Sequence, residues 1–279
     1  MTKRPQPTED VIAANITVHT AMAATYDQRE PHFRPENKAN VRAVLEAVSN
    51  RTGRGKLLDL GCGTGFIIEL ARDLFDSIDG IDITQAMLAR VDTRGGHITL
   101  HRHACESLPF ADATFHAATA YSFLDHLQDY SLVLREAFRV LRPGGVLYAD
   151  LLPNRRYWES IELAARQGRL ESALVRREAE MLASQHDMVE RDYGIDGSTF
   201  LAAEPWKTAS HGIAAEEFTA IVRDIGYRDV DISFQWYLGQ GALLHGQDAR
   251  EAALVESHLR DVLPISESMF KYLRVQLAR

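Results

Sequence analysis

Apolar positions follow two rhythms along the chain. Between residues 36 and 50, Val41, Val44, Leu45 and Val48 recur at intervals of three and four, which predicts a helix with one buried face. From Lys56 the rhythm shortens. Lys56 to Leu60 is a brief apolar run that predicts a strand, and after a glycine-rich stretch Ile67, Leu70, Ala71 and Leu74 return to helical spacing. Further strands are predicted over 77–82, 97–103, 115–121 and 146–152. A helix carrying Met87 and Leu88 falls among them. So does one carrying Leu134, Ala137, Phe138 and Leu141, which Pro143-Gly144-Gly145 stops. Strands and helices alternating at this spacing require crossover connections. The expected fold class is therefore α/β, a Rossmann-like, mostly parallel sheet flanked by helices.

The rhythm breaks at 154–212. That stretch reads as helices near 156–167 and 169–186, then as an irregular run through Tyr193, Gly194, Gly197 and Pro205. It resumes with a helix at 214–226, where Phe218, Ile221, Val222 and Ile225 share a face, and a strand at 229–236. The expected organisation is an N-terminal helical lid segment (1–50), a core of 51–153 and 213–238, a helical insertion after the fifth strand acting as a substrate lid (154–212), and a mainly helical C-terminal extension (239–279). In that extension, Phe270-Lys271-Tyr272-Leu273-Arg274 suits either a homodimer contact or a cover over a pocket.

Composition narrows the function classes. The chain has 279 residues and a formal net charge of -8, with 46% hydrophobic and 25% charged residues, as in ordinary globular proteins. The basic pairs Arg155-Arg156 and Arg176-Arg177 are interleaved with Glu159, Glu162, Glu171 and Glu178, so they read as solvated helix faces and no nucleic-acid partner is expected. Two cysteines, Cys62 and Cys105, suit a reducing compartment. No signal peptide or membrane span is visible in the sequence, and the expected location is the cytoplasm.

The chemistry concentrates at Gly61-x-Gly63-x-Gly65, between a predicted strand and a predicted helix. Glycines there allow a sharp turn and close approach of a ligand to the backbone. A dinucleotide loop needs its third glycine one position later, where this chain has Phe66. The loop also lacks the Lys-Ser/Thr ending of a phosphate cradle. It suits a nucleoside ligand without phosphates. Asp82 ends the second strand, where one carboxylate can accept an adjacent pair of ribose hydroxyls; a plain turn residue is the alternative. Asp59, just before the loop, is a candidate cofactor-binding residue, and a buried carboxylate bonded to loop amides is the structural alternative compatible with that role.

With these residues in hand, a resemblance is plain. Leu57 to Phe66 (LLDLGCGTGF), Gly80 to Thr84 (GIDIT) with Met87-Leu88, Cys105 to Phe110 (CESLPF) and Leu141 to Gly145 (LRPGG) resemble the successive motifs of class I S-adenosylmethionine-dependent methyltransferases, most of all the ubiquinone/menaquinone-biosynthesis type. The resemblance covers about 55–152 well and 210–236 more loosely. It implies S-adenosylmethionine as cofactor, S-adenosylhomocysteine as product and methyl transfer to O, N or C of a small-molecule acceptor, with an RNA or protein methyltransferase or a non-methylating S-adenosylmethionine-binding relative as the alternatives, and it is nearly silent on which acceptor. It further implies that Gly61, Cys62 and Gly63 line the methionine end, that Asp82 takes the ribose hydroxyls, and that Ile83 and Met87 pack on the adenine. Cys105 and Glu106 would hold the adenine edge, Tyr121 the far side of the methionine moiety, and Tyr26, beside Asp27, would belong to an element closing over the cofactor. Where the family often has an Asp before the Ala-Glu pair, this chain has Ala104, which shifts adenine recognition to Cys105 or Glu106.

Methyl transfer from a sulfonium depends on alignment, helped by a base when the acceptor carries a proton. His126, just past the fourth strand, and His211, before the late helix, are the candidate bases, against structural roles at helix starts. Tyr157, Trp158, Tyr193, Trp206 and Trp236 are candidate walls of an acceptor pocket. His101-x-His103 would share a strand face, but with no third ligand at metal spacing no metal is expected.

Overall fold

The computed structural model describes residues 8–208, 212–246 and 249–279. Seven strands make up one sheet among these residues: β1 (Lys56–Leu60), β2 (Ser77–Asp82), β3 (Ile98–Arg102), β4 (Phe115–Tyr121), β5 (Leu141–Pro153), β6 (Val230–Tyr237) and β7 (Phe270–Ala278). Their order is β3-β2-β1-β4-β5-β7-β6. The first five pair in parallel, and β7 runs antiparallel between β5 and β6. The chain thus starts in the middle of the sheet, builds outward to β3, then returns to build the other half from β4. The crevice where the order reverses, between β1 and β4, lies at the carboxyl ends of the strands and is where such sheets bind ligands.

The helices in chain order are α1 (Thr8–Met22), α2 (Tyr26–Arg29), α3 (Pro35–Thr52), α4 (Phe66–Ala71), α5 (Gln85–Leu88), α6 (Tyr130–Val140), α7 (Arg155–Arg166), α8 (Ala173–Tyr193), α9 (Gly197–Ala203), α10 (Pro205–Thr208), α11 (Ala215–Ile225), α12 (Gln240–His245) and α13 (Ala249–Asp261). Helix α6 shows why the periodic segments fold as they do. Its buried residues Tyr130, Val133, Leu134, Ala137 and Val140 form one stripe, and the Asp129 side chain caps its start by accepting the Ser131 amide. That stripe and Phe218 and Val222 of α11 cover one face of the sheet, while Val41, Leu45 and Val48 of α3 and Ile67 and Ile68 of α4 cover the other. No described helix is long and apolar enough to cross a membrane.

The two expected lid segments pack on each other. Ala14 and Val18 of α1 share a small core with Val189, Ile195, Phe200 and Ala203. This core is separate from the two that sandwich the sheet. The stretch expected to be irregular after residue 193 holds α9 and α10.

The C-terminal extension differs from expectation. It does carry α12 and α13, but Phe270–Ala278 is a core strand. Leu273, Val275 and Leu277 alternate with Arg274 and Gln276, a period of two that the neighbouring helical rhythm masks in the sequence. Arg274 hides the burial further, because a charged residue reads as exposed. Its guanidinium donates to the Asp150 carboxylate at 2.7 Å, with side chains 10% and 1% exposed. Segment 270–274 is therefore a sheet element, and Lys271 and Tyr272 do border a cavity. Asn154, fully buried, fixes this corner. Its side-chain nitrogen donates to the carbonyls of Glu267 and Phe270, and its side-chain oxygen accepts the Arg156 amide that opens α7.

The Arg274–Asp150 pair yields a stability prediction. Arg274→Met leaves a buried carboxylate without its cation, which costs about 3 kcal/mol. The expected result is a lower urea midpoint at unchanged slope, with a smaller loss at pH 5 than at pH 8. Burial already pushes the Asp150 carboxyl upward, so it can take a proton when the cation is gone. A loss below about 0.5 kcal/mol at pH 8 would show that the pair does not hold β7 in place.

Candidate active site

The glycine loop leaves β1 with Gly61, Gly63 and Gly65 at φ of 65°, 51° and 93°, a region that favours glycine. Gly61 is required twice over, since a Cβ there would fall 2.2 Å from the Phe123 ring. Two bonds fasten the loop to β2, and a third steadies the Asp82 carboxylate that makes one of them. Cys62 N–H donates to the Ile81 carbonyl at 3.0 Å, Gly63 N–H donates to Asp82 Oδ2 at 3.0 Å, and Thr84 N–H donates to Asp82 Oδ1 at 2.7 Å. Each Asp82 oxygen keeps a further lone pair facing the cavity beside the loop. The loop amide expected on Asp59 is therefore on Asp82.

Asp59 is 1% exposed. The Thr119 hydroxyl donates to its Oδ1 at 2.7 Å, and its Oδ2 has no hydrogen-bond partner. Burial, opposed by Thr119 and reinforced by the Asp82 charge, raises its carboxyl from 3.8 to about 7. Burial also pushes the thiols of Cys62 and Cys105 well up, so both are protonated at neutral pH and act as small wall residues.

One cavity at the carboxyl ends of β1, β2 and β4 gathers the sequence candidates. Asp59, Gly61, Cys62 and Gly63 line it from the loop side, and Asp82, Ile83 and Met87 from the end of β2. Cys105 and Glu106 close the far edge, and Tyr121 and Tyr26 border the near one. His126 also lines it, on a short 3-10 turn (Leu124–His126) directly after β4. His211 lies outside the described residues. Helix α1 roofs the cavity: the Asn15 amide donates to the His126 carbonyl at 3.0 Å, and on α2 the Asp27 carboxylate accepts the Thr64 hydroxyl of the glycine loop at 2.5 Å.

Two histidines that sequence reasoning passed over also line this cavity. His19 on α1 stands edge-on to His126 with ring centres 5.1 Å apart. The Nδ1 atoms of His19 and His126 sit 3.0 Å and 3.1 Å from the carbonyls of Asn15 and Ala203. A carbonyl only accepts, so both Nδ1 atoms carry the proton and both Nε2 atoms carry a lone pair in the neutral rings. Burial, with the His126 charge next, lowers the His19 pKa. His32 is 7% exposed and packs on Phe33, Phe66, Tyr121 and Tyr26. No sequence signal marks either residue, because α1 and the turn holding His32 reach the site only through tertiary packing.

The aromatic candidates divide. Tyr157 and Trp236 line a second cavity beside the first. Trp158, Tyr193 and Trp206 line neither cavity. Trp158 meets Tyr157 edge to face and lies under the Lys271 ammonium, Tyr193 receives the Arg29 guanidinium, and Trp206 packs on Tyr130. Each fills a joint between elements, as large rings most often do. His101 bonds Asp79 at 2.7 Å, and no group of three or more metal-ligating side chains converges among the described residues.

Comparison with known proteins agrees with this arrangement. Residues 58–149 match the family model described as a methyltransferase domain. A probable S-adenosylmethionine-dependent methyltransferase of Mycolicibacterium smegmatis is 30% identical over 138 residues, covering 49% of this chain and 53% of that protein. A ubiquinone/menaquinone biosynthesis C-methyltransferase of Desulfotalea psychrophila is 33% identical over 129 residues, covering 45% and 52%. The chain thus spans about half the length of these curated relatives. The solved structure of the cyclase SpnF shares the fold across 99% of this chain and 97% of that chain, with a TM-score of 0.57 at 17% identity. Sheet order, motif order and these matches converge on residues 58–149, the stretch that is similar to a methyltransferase domain.

Proposed function

We propose that the protein transfers the methyl group of S-adenosylmethionine to an oxygen, nitrogen or carbon of a small-molecule acceptor by in-line displacement, leaving S-adenosylhomocysteine. The observation that carries this reading is that every residue the family resemblance assigns to the cofactor lines one cavity, from Tyr26 to Tyr121. Bound cofactor supplies a methyl carbon already activated by its sulfonium, so the protein's task is alignment and exclusion of water.

The residues present fit that group. Asp82, steadied by two amides, has lone pairs left for the two ribose hydroxyls. Ile83 and Met87 offer apolar surface to the adenine, and Cys105 with Glu106 offers its edge polar atoms in place of the acid absent at Ala104. Gly61, Cys62 and Gly63 allow the methionine end to approach the backbone, with Tyr26 and Tyr121 opposite. Asp59 Oδ2, buried and without a partner, is an acceptor that a cationic ligand would satisfy. His126 lines this cavity, with the Asp125 carboxylate 4.0 Å from its Nε2, and is the first candidate base, while no role is proposed for His211.

The deciding experiment is incubation of labelled cofactor with metabolite extracts, followed by identification of the labelled product. A labelled small molecule is expected. Label on RNA or protein would overturn the acceptor class, and bound cofactor with no labelled product would overturn methyl transfer itself. Asp82→Ala is expected to weaken S-adenosylhomocysteine binding by about 10- to 100-fold in calorimetry, the size of a lost hydrogen bond to a charged group; an unchanged affinity would remove Asp82 from the site.

Asp59 gives a pH-dependent signature. Folded, it holds its proton up to about pH 7; unfolded, it loses it near 3.8. Its contribution to stability is therefore complete below pH 3.8 and is lost as pH rises to about 7. Denaturant titrations should show the ligand-free protein losing stability relative to Asp59→Asn across that window. Cofactor binding at pH 7, by placing a cation near Asp59, should release a proton, detected calorimetrically in buffers of different ionisation enthalpy. Asp59→Asn should abolish the release.

A further inference from the structure

The inference drawn here deepens the cofactor reading above and rests on it. Adenine presents a polar edge with two opposite demands. Its ring nitrogen N1 accepts a hydrogen bond, and its 6-amino group donates. The Cys105 amide is a donor, so it suits N1 and not the amino group. The amino group needs an acceptor. At Ala104, where the family that this chain resembles often carries an acid, the side chain is a methyl group.

Helix α1 supplies an acceptor from the opposite wall. Asn15 is 5% exposed and lines the cofactor cavity. Its side-chain nitrogen donates to the Val11 carbonyl on its own helix and to the His126 carbonyl, both at 3.0 Å. Carbonyls only accept, so the nitrogen must stand on that side and the amide cannot be turned over. Both of its N–H bonds are engaged. Oδ1 accepts no hydrogen bond among the described residues and is not sealed from contact as Asp59 Oδ2 is. For a side chain in this roof, the space it opens on is the cavity. Asn15 therefore offers a ligand a fixed acceptor and no donor.

The order of residues along the roof puts this acceptor over the adenine. Tyr26 is on α2, which the Asp27–Thr64 bond ties to the glycine loop at the methionine end. His19 stands by the ribose position: burial and then His126 lower its pKa, while the nearby Asp82 charge raises it. Asn15 lies one helical turn further back, about 6 Å along the axis. Val11 and Ile12, a turn before that, line the same cavity. Helix α1 also packs against α5, which carries Met87. The glycine loop, Asp82 and Met87 follow the cofactor from methionine through ribose to adenine. Tyr26, His19 and Asn15 follow it in the same direction from above. Glu106 is the competing acceptor, but its carboxylate is only half-buried. Water can satisfy it when no ligand does, whereas an acceptor as buried as Asn15 gains more from a ligand's donor.

We propose that Asn15 Oδ1 accepts the adenine 6-amino group, filling from the N-terminal roof the role of the acid absent at Ala104. The same side chain holds α1 to the His126 carbonyl, so one residue both reads the base and keeps the roof over it. Selectivity follows from the direction of the bonds. A fixed acceptor favours an amino group over hydrogen at that position, and it opposes a keto oxygen, which would set acceptor against acceptor.

The test uses the full chain and calorimetry with two ligands, S-adenosylhomocysteine and its analogue carrying hydrogen in place of the 6-amino group. The ratio of their affinities is the readout, because a variant that merely loosens the roof weakens both ligands by the same factor. The unaltered chain should prefer S-adenosylhomocysteine about tenfold, the size of one hydrogen bond to a buried acceptor. Asn15→Leu and Asn15→Ala both remove the oxygen and differ in bulk. Each should bring the ratio to within twofold of one, whatever it does to the separate affinities. Glu106→Ala should keep the ratio above fivefold. A ratio near one in the unaltered chain, a preference that persists in the Asn15 variants, or its loss in Glu106→Ala overturns the assignment to Asn15. Failure of S-adenosylhomocysteine to bind the unaltered chain would overturn the cofactor reading instead.

Discussion

The Asp82 carboxylate accepts the Gly63 amide on one oxygen and the Thr84 amide on the other. That pair of bonds fastens the loop ending β1 to the turn ending β2, so the two strands present one rigid edge. The remaining geometry of the first cavity follows from it. Gly61 can pass close under Phe123 only because the loop is held there, and Cys62 reaches β2 through the Ile81 carbonyl. The same carboxylate keeps lone pairs toward the cavity, so the group that builds the loop is also a group that can read a ligand.

Two buried aspartates show how differently this fold treats a charge. Asp150 has an arginine, a tyrosine hydroxyl and a backbone amide as partners, and it anchors β7 to β5. Asp59, one strand-end away from the loop, has one threonine hydroxyl and an oxygen with no partner. The first is a compensated structural charge. The second carries unspent acceptor capacity in a cavity wall, which is the usual mark of a group that waits for a ligand rather than one that holds the fold.

Above the sheet, α1 and the insertion share a small core of their own, while hydrogen bonds from Asn15, Asp27 and His126 tie this roof to the loops beneath. Ser122, Leu151 and Trp236, strained at φ of 49°, 58° and 58°, sit below the adjoining cavity, at the ends of three different strands. The first cavity thus straddles the reversal of strand order between β1 and β4, and the second adjoins it over the half of the sheet that follows.

Local periodicity and the glycine spacing determined much of this in advance. Strands β1 to β6, helices α3, α6 and α11, the loop, Asp82 and the Cys105-Glu106 edge are each set by residues adjacent in sequence, where strand and helix periods and φ preferences act directly. Tertiary structure alone decided the rest. β7 escaped because its pairing partners, β5 and β6, are supplied by distant segments and its buried Arg274 is tolerable only beside Asp150. His19 and His32 became cavity residues, and Trp158, Tyr193 and Trp206 became packing residues, through contacts between elements far apart in the chain. A side chain's periodicity says which face of its element it occupies, but only the packing of elements says what that face meets.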